Sequence, residues 1–247
     1  MKTHKAKTFL RAVALLAVAG LAVAVAGSNL AEAQNCSVEW TGNASTDVWG
    51  TAGNWSTHQL PGPTSDVCIL TAPSTGSVDA TATPSISVHS IQVGHGVGLA
   101  FGSGTVSIAT SLTSQGYLTL FGTTLGATSV DVQSGSLVGK GTIEGSLTNN
   151  GYISPQAGSF TVTGNYTQTT GGELSLQYWG VSAVYVGMNA SLSGHLVVGI
   201  NPKRPPKKGS TYTAMTFGSL SGQFTSVTVE EGGNVNYTNN SVVVTFQ

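Results

Sequence analysis

Charge is what this sequence has least of. Among 247 residues there are 9 Lys and Arg and 10 Asp and Glu, so charged side chains make up only 8%. Between residues 76 and 180 they dwindle to Asp79, Asp131, Lys140, Glu144 and Glu173. Such scarcity excludes a surface solvated by ion pairs and leaves that task to Ser, Thr, Asn and Gly. It also removes the basic stripe that a nucleic-acid partner requires. Glycoside hydrolysis needs paired carboxylates, and lyase chemistry needs a base beside a carboxylate-held cation. Asp131 and Glu144 lie 13 residues apart, off the spacing of 16 to 20 at which the chain repeats, so they are not expected to stack. His195 follows no G-x-S-x-G elbow, and His89 and His95 have no carboxylate close in sequence. Neither a catalytic constellation, nor a metal site, nor a cofactor motif is expected.

Cysteine is nearly as rare, with Cys36 and Cys68 alone. In an oxidising compartment an even count favours one disulfide, with two free thiols as the alternative. Closing a loop of roughly 30 residues stabilises by about 3 kcal/mol on the chain-entropy model. No C-x-x-C pair points to zinc.

The compartment is implied by the first 33 residues. Lys2, Lys5, Lys7 and Arg11 precede an apolar run from Ala12 to Ala26, and Ala31-Glu32-Ala33 follows. A basic start, a short apolar core and an A-x-A end describe an export signal, cleaved after Ala33 or, as the alternative, after Ala26. The run is too short to favour a membrane span of about 20 residues. No later apolar segment or C-terminal anchor is read, so the expected product is secreted or at the cell surface and not covalently held. Without residues 1–33, five basic residues face nine acidic ones, a net charge of −4.

What the sequence does have is a repeat. Gly98, Gly116, Gly135, Gly151 and Gly171 head successive stretches in which apolar residues alternate with Ser or Thr. Thr105-Val106-Ser107-Ile108, Tyr117-Leu118-Thr119-Leu120 and Ser129-Val130-Asp131-Val132 are three of them. Alternation with period two in short runs of Val, Ile, Thr, Tyr and Phe predicts half-buried strands. A loose period near 20 with no helical stretch predicts a coil of strands, each turn burying its apolar row on the next. The expected fold is all-β, a right-handed parallel β-helix, with laps over residues 76–180. His89-Ser90 breaks the alternation after Val88 and marks a corner. Thr105, Thr119, Thr123 and Thr142 do not fall into a T-x-T register, which disfavours an ice-binding face.

Either side of the laps the composition changes. Residues 34–75 read as a Trp-rich N-terminal cap, because Trp40, Trp49 and Trp55 crowd beside the two cysteines. The open end of a β-helix exposes unpaired strand groups that invite aggregation, and indoles would seal it. The same tryptophans are the candidate sugar platform of a carbohydrate-binding reading, since sugar rings stack on indole faces. Residues 181–247 read as a β-rich C-terminal cap with longer strands. Within them Lys203, Arg204, Lys207 and Lys208 hold four of the five remaining cations. These read either as a solvated hairpin loop or as an electrostatic contact for an anionic cell-wall or glycan polymer.

Three stretches carry a resemblance. The run Trp40-Thr41-Gly42, Trp49, Asn54-Trp55, Pro61-Gly62 and Asp66-Val67 is similar to the opening of many bacterial exported β-helix proteins. Residues 137–155 and Phe160-Thr161-Val162-Thr163-Gly164-Asn165-Tyr166-Thr167-Gln168 look like the last laps of autotransporter-associated β-strand repeats. The order of Gly172-Glu173-Leu174, Pro206, Tyr212 and Leu220-Ser221-Gly222-Gln223-Phe224 is similar to the end region of such passengers. Ser182 and Met188 depart from it, standing where an Asp and a Gly are usual. The resemblance implies a bacterial, non-catalytic, adhesive or structural surface protein. Its implied partners are a cell-wall or extracellular glycan or a host or neighbour surface protein.

Overall fold

The computed structural model describes residues 35–83, 85–178 and 182–247; the expected export signal lies outside the described residues. Nearly every described element is a strand, and Ala52–Asn54 forms a short 3-10 turn. Strands stack by parallel pairing into three ladders, so the chain visits three walls in rotation and forms a β-solenoid of about six turns.

The first wall stacks Val38–Glu39, Asp66–Ile69, Ser90–Val93 and Ser111–Ser114, and continues to Tyr166–Gln168, Asn189–Leu192 and Ser219–Gly222. The second stacks Ser77–Ala80 and Gly98–Phe101, and later Glu173–Gln177, His195–Gly199 and Ser226–Val229. The third stacks Ser85–Val88, Thr105–Ile108, Val184–Val186 and part of Thr211–Thr216. Three long strands bend around corners and serve more than one wall: Tyr117–Val132, Ser136–Asn149 and Tyr152–Val162.

Register explains how alternation becomes a core. On the second wall Leu99, Leu118, Leu137, Ile153, Leu174 and Leu196 stand one above another, each fully buried. Neighbours along these strands, among them Tyr117, Thr119, Ser136, Glu173 and His195, are exposed or half-buried. A buried Leu or Ile is worth about 1.5–3 kcal/mol relative to exposure, so the columns supply the main drive to stack. His89 sits between Ser85–Val88 on the third wall and Ser90–Val93 on the first, the corner expected from the sequence.

Glycine sets how tightly the turns can stack. A Cβ at Gly139 would lie 2.0 Å from the Leu120 carbonyl oxygen, and one at Gly145 would lie 1.7 Å from that of Ala127. The strand Ser136–Asn149 therefore crosses two corners directly against the turn below it. The register shifts at those corners, between Lys140 and Gly141 and between Glu144 and Ser146.

The core also holds a polar cluster. Asn149, Tyr166 and Gln168 are buried on the first wall. The Tyr166 hydroxyl donates to Gln168 Oε1 at 2.7 Å, and Asn149 Nδ2 donates to the same oxygen at 3.1 Å. Gln168 Nε2 reaches the carbonyls of Gly172, Ser193 and His195 at 2.9–3.0 Å, tying the corners of two successive turns together. Burial pushes the Tyr166 hydroxyl pKa far above its ordinary value, so it stays a neutral donor.

Parallel pairing does not stop near residue 180, where the laps were expected to end, but runs on to Ser226–Val229. Thr211–Thr216 then pairs antiparallel with Ser241–Phe246, which pairs antiparallel with Gly233–Tyr237. Residues 201–210 join a second-wall strand to a third-wall strand, so they form a corner insertion rather than the expected hairpin loop. Among the described residues no helix is long and apolar enough to cross a membrane.

Candidate functional site

The tryptophans are not placed to meet a sugar. Trp40, Trp49 and Trp55 are 4%, 2% and 0% exposed. Trp55 packs edge-to-face with both others, its ring centroid 5.0 Å from that of Trp40 and 4.7 Å from that of Trp49. Its Nε1 donates to the Trp49 carbonyl at 2.9 Å. A stacking platform needs an open indole face, and these faces are spent on one another, which corrects the expectation of a ligand site at residues 40, 49 and 55. Buried Asn54 fixes the loop around them, accepting from the Ala44 N–H at 3.0 Å and donating to the Thr46 carbonyl at 2.7 Å. This is packing chemistry, with the indoles as bulk apolar material.

Cys36 and Cys68 form the expected disulfide, with Cα atoms 5.6 Å apart. It joins the chain just before Val38–Glu39 to Asp66–Ile69, the strand that Val38–Glu39 pairs with. Close by, Asp66 Oδ1 accepts from the Ser90 hydroxyl at 2.5 Å and meets His89 Nδ1 at 2.7 Å. The Ser90 hydrogen bond and then the His89 contacts hold the Asp66 carboxyl below the usual carboxylate range. Across the molecule, His195 Nδ1 lies 3.4 Å from Glu173. Lys140 and Glu144 make no ion pair within 4 Å among the described ones. Groups of three or more potential metal ligands are absent among the described residues.

The threonines sort by wall. Thr105, Thr124, Thr142 and Thr161 share one outward column on the third wall. Thr119 belongs to the second wall. Thr123 faces inward, its hydroxyl 2.7 Å from the Gly102 carbonyl.

Side chains converge instead near the C-terminal end, in a cleft of about 680 Å³. Its floor is aromatic. Tyr178 packs edge-to-face with Tyr212, centroids 5.8 Å apart and planes at 84°, and with Phe246 at 4.8 Å. The Tyr212 hydroxyl donates to the Ser182 carbonyl, which locks the ring. Burial outweighs that bond and pushes the Tyr212 hydroxyl pKa far above its ordinary value. Tyr185, outward on Val184–Val186, lines the wall and is 45% exposed. Thr211 and Thr213, flanking inward Tyr212 on one strand, offer hydroxyls at the rim.

The rest of the rim comes from the basic loop. Asn201 and Arg204 both line the cleft. Asn201 shapes the loop: its carbonyl accepts from the Arg204 N–H at 2.8 Å and its Oδ1 accepts from the Lys203 N–H at 2.9 Å. Arg204 is exposed and has no carboxylate within 4 Å among the described residues. Of the four predicted electrostatic residues, the structure brings Arg204 into the cleft, while Lys203, Lys207 and Lys208 stand exposed on the same loop outside its lining.

No sequence pattern marks the tyrosines of this cleft. Tyr178, Tyr185 and Tyr212 sit at unrelated spacings, and only the stacking of Val184–Val186 and Thr211–Thr216 beside the end of Glu173–Gln177 assembles them. The basic loop was the one visible sign. A cleft of this size, with an aromatic floor, hydroxyls and one unpaired guanidinium, can bind and orient a small polar ligand. The chain matches no protein-family model, no curated protein and no solved structure.

Proposed function

We propose that this chain is a non-catalytic, exported bacterial β-solenoid that acts as an adhesive or structural protein at or beyond the cell surface. The observation that carries the reading is the cleft near the C-terminal end. Its convergent groups are aromatic rings, hydroxyls, an amide and a guanidinium, which recognise and hold rather than exchange protons. The basic, apolar and A-x-A segments at residues 1–33, with the Cys36–Cys68 disulfide, support export to an oxidising compartment. The Trp-rich opening and the L-x-G-x-G-T-I and F-T-V-T-G-N-Y-T-Q words support kinship with autotransporter-type passengers. In this reading the buried tryptophans seal one end of the coil and the antiparallel strands near residue 240 seal the other.

Carbohydrate binding is the second reading, and the cleft favours it at a new place, on tyrosines instead of tryptophans. The test is expression of the full chain in a bacterial host, with fractionation, N-terminal sequencing and an adhesion assay on polymer-coated surfaces. The expected product starts at Gln34, carries no free thiol, is protease-accessible on intact cells or released, and makes cells adhere. Retention in the cytoplasm with two titratable thiols would sink export, and release of reducing sugar from a polysaccharide would sink the non-catalytic reading.

A further inference from the structure

We propose that the cleft beside the 201–210 loop binds a carboxylated sugar residue of an acidic polysaccharide. The proposal rests on the adhesive reading and names the ligand class through which adhesion would act.

Four features of the cleft select that class together. First, its volume of about 680 Å³ accommodates one or two pyranose rings and is within the range of small-molecule sites. Second, Tyr185 presents an accessible ring, and the Tyr178, Tyr212 and Phe246 edge contacts hold the floor rigid beneath it. An amphipathic aromatic wall of this kind packs on the C–H face of a sugar while its neighbours stay wet. Third, Asn201, Thr211 and Thr213 provide amide and hydroxyl groups at the rim, the partners a polyol requires. Fourth, Arg204 offers a planar fork of donors with no carboxylate partner among the described residues. A guanidinium in that state matches a carboxylate with two parallel hydrogen bonds.

Charge distribution points the same way. Four of the five basic side chains beyond residue 33 lie in Lys203–Lys208, on a chain whose remaining residues are net acidic. The loop is therefore a local positive field on a molecule that otherwise repels anions, and it raises the encounter rate of an acidic polymer with this one cleft. The prolines of the loop, Pro202, Pro205 and Pro206, restrict its backbone, so Arg204 is presented at a smaller entropic cost than from a flexible loop.

The probes are oligogalacturonate, its methyl ester and a sulfated oligosaccharide of similar length, titrated calorimetrically into the exported protein. Saturable binding of the acid is expected, at least about tenfold tighter than of the ester, because the ester keeps the ring and loses the carboxylate. Arg204→Gln should erase that difference and leave the ester unaffected. Arg204→Lys should restore only part, since an ammonium cannot present the fork. Tyr185→Ala should weaken acid and ester alike, by roughly fivefold. Lys207→Gln with Lys208→Gln should change the salt dependence and leave the acid-to-ester ratio unchanged. All three cleft variants alter exposed side chains, and unchanged thermal midpoints will establish that they fold.

Equal affinity for acid and ester would overturn the proposal, as would tighter binding of the sulfated probe. Loss of binding in the double lysine variant as large as in Arg204→Gln would also overturn it, in favour of diffuse attraction to the loop. Adhesion of cells without oligogalacturonate binding would reject the ligand class and leave the adhesive reading standing.

Discussion

A methyl group tests how closely the turns of this solenoid approach. At Gly145 the backbone lies at φ +150°, and an added Cβ would sit 1.7 Å from the Ala127 carbonyl oxygen. The obstacle is backbone, which cannot swing aside, so Gly145→Ala should cost roughly 3 kcal/mol or more. A Cβ at Gly62 meets nothing within 4 Å, so Gly62→Ala should stay within about 0.5 kcal/mol of the parent. Chemical denaturation with a common m-value decides; equal midpoints would mean that the turns spread apart readily. Asp66 makes a second residue-scale prediction. Its folded pKa is lowered by the Ser90 and His89 contacts, so the stability it contributes is fully present above the ordinary carboxylate value and is lost as pH falls through the folded one. Asp47, lowered chiefly by the Thr75 hydroxyl, acts in the same window. Thermal midpoints from pH 6 down to pH 2 should therefore drop on the acid side, and Asp66→Asn should flatten part of the fall. An unchanged acid limb in the Asn variant would remove Asp66 from the account.

At the scale of elements, the disulfide and the indole cluster act on neighbouring pieces of chain. Val38–Glu39 is a two-residue strand, too short to hold its place on Asp66–Ile69 by pairing alone. The Cys36–Cys68 bridge clamps it across a sequence separation of 32. Cys36→Ser with Cys68→Ser should lower stability by about 3–4 kcal/mol on the chain-entropy model, with the loss measured by urea unfolding. Tryptophan fluorescence should report it first, since Trp40 follows the freed strand directly; loss in the far-UV signal before any change in Trp emission would contradict that order. The disulfide of this element was readable in the sequence because a local pattern favours it: two cysteines behind an export signal point to one bridge. The strands were readable for the same reason, because Leu118 and Leu137 alternate with Thr and Val in a period that only a pleated, half-buried strand satisfies. The cleft was not. Its rings come from Glu173–Gln177's continuation, Val184–Val186 and Thr211–Thr216, whose meeting depends on the corner lengths between walls. The sugar-platform expectation at Trp40, Trp49 and Trp55 failed for a related reason: a cluster of indoles reads alike whether its faces point outward or at one another.

For the whole molecule, the ladders imply that stability is close to a sum over turns and their interfaces. Leu99, Leu118 and Leu137 are successive rungs of one column, as are Leu112, Val130 and Leu147 on another wall and Thr105, Thr124 and Thr142 on the outside of the third. Removing residues 117–135 would join Gly116 to Ser136 and bring Leu137 over Leu99, Thr142 over Thr105 and Leu147 over Leu112. Every inward position then meets an inward position, and no outward Ser or Thr is turned into the core. The shortened chain should fold cooperatively, with unchanged secondary structure per residue and a thermal midpoint lower by several degrees, reflecting one lost interface. Removing residues 117–126 instead would set the first-wall segment Ser129-Val130-Asp131-Val132 where the second wall belongs, and the walls would no longer match; that chain should aggregate or stay unfolded. Circular dichroism and size-exclusion chromatography on the two deletions distinguish the outcomes. If both fold alike, register does not govern this coil; if neither folds, the stack is one indivisible unit rather than a sum of turns.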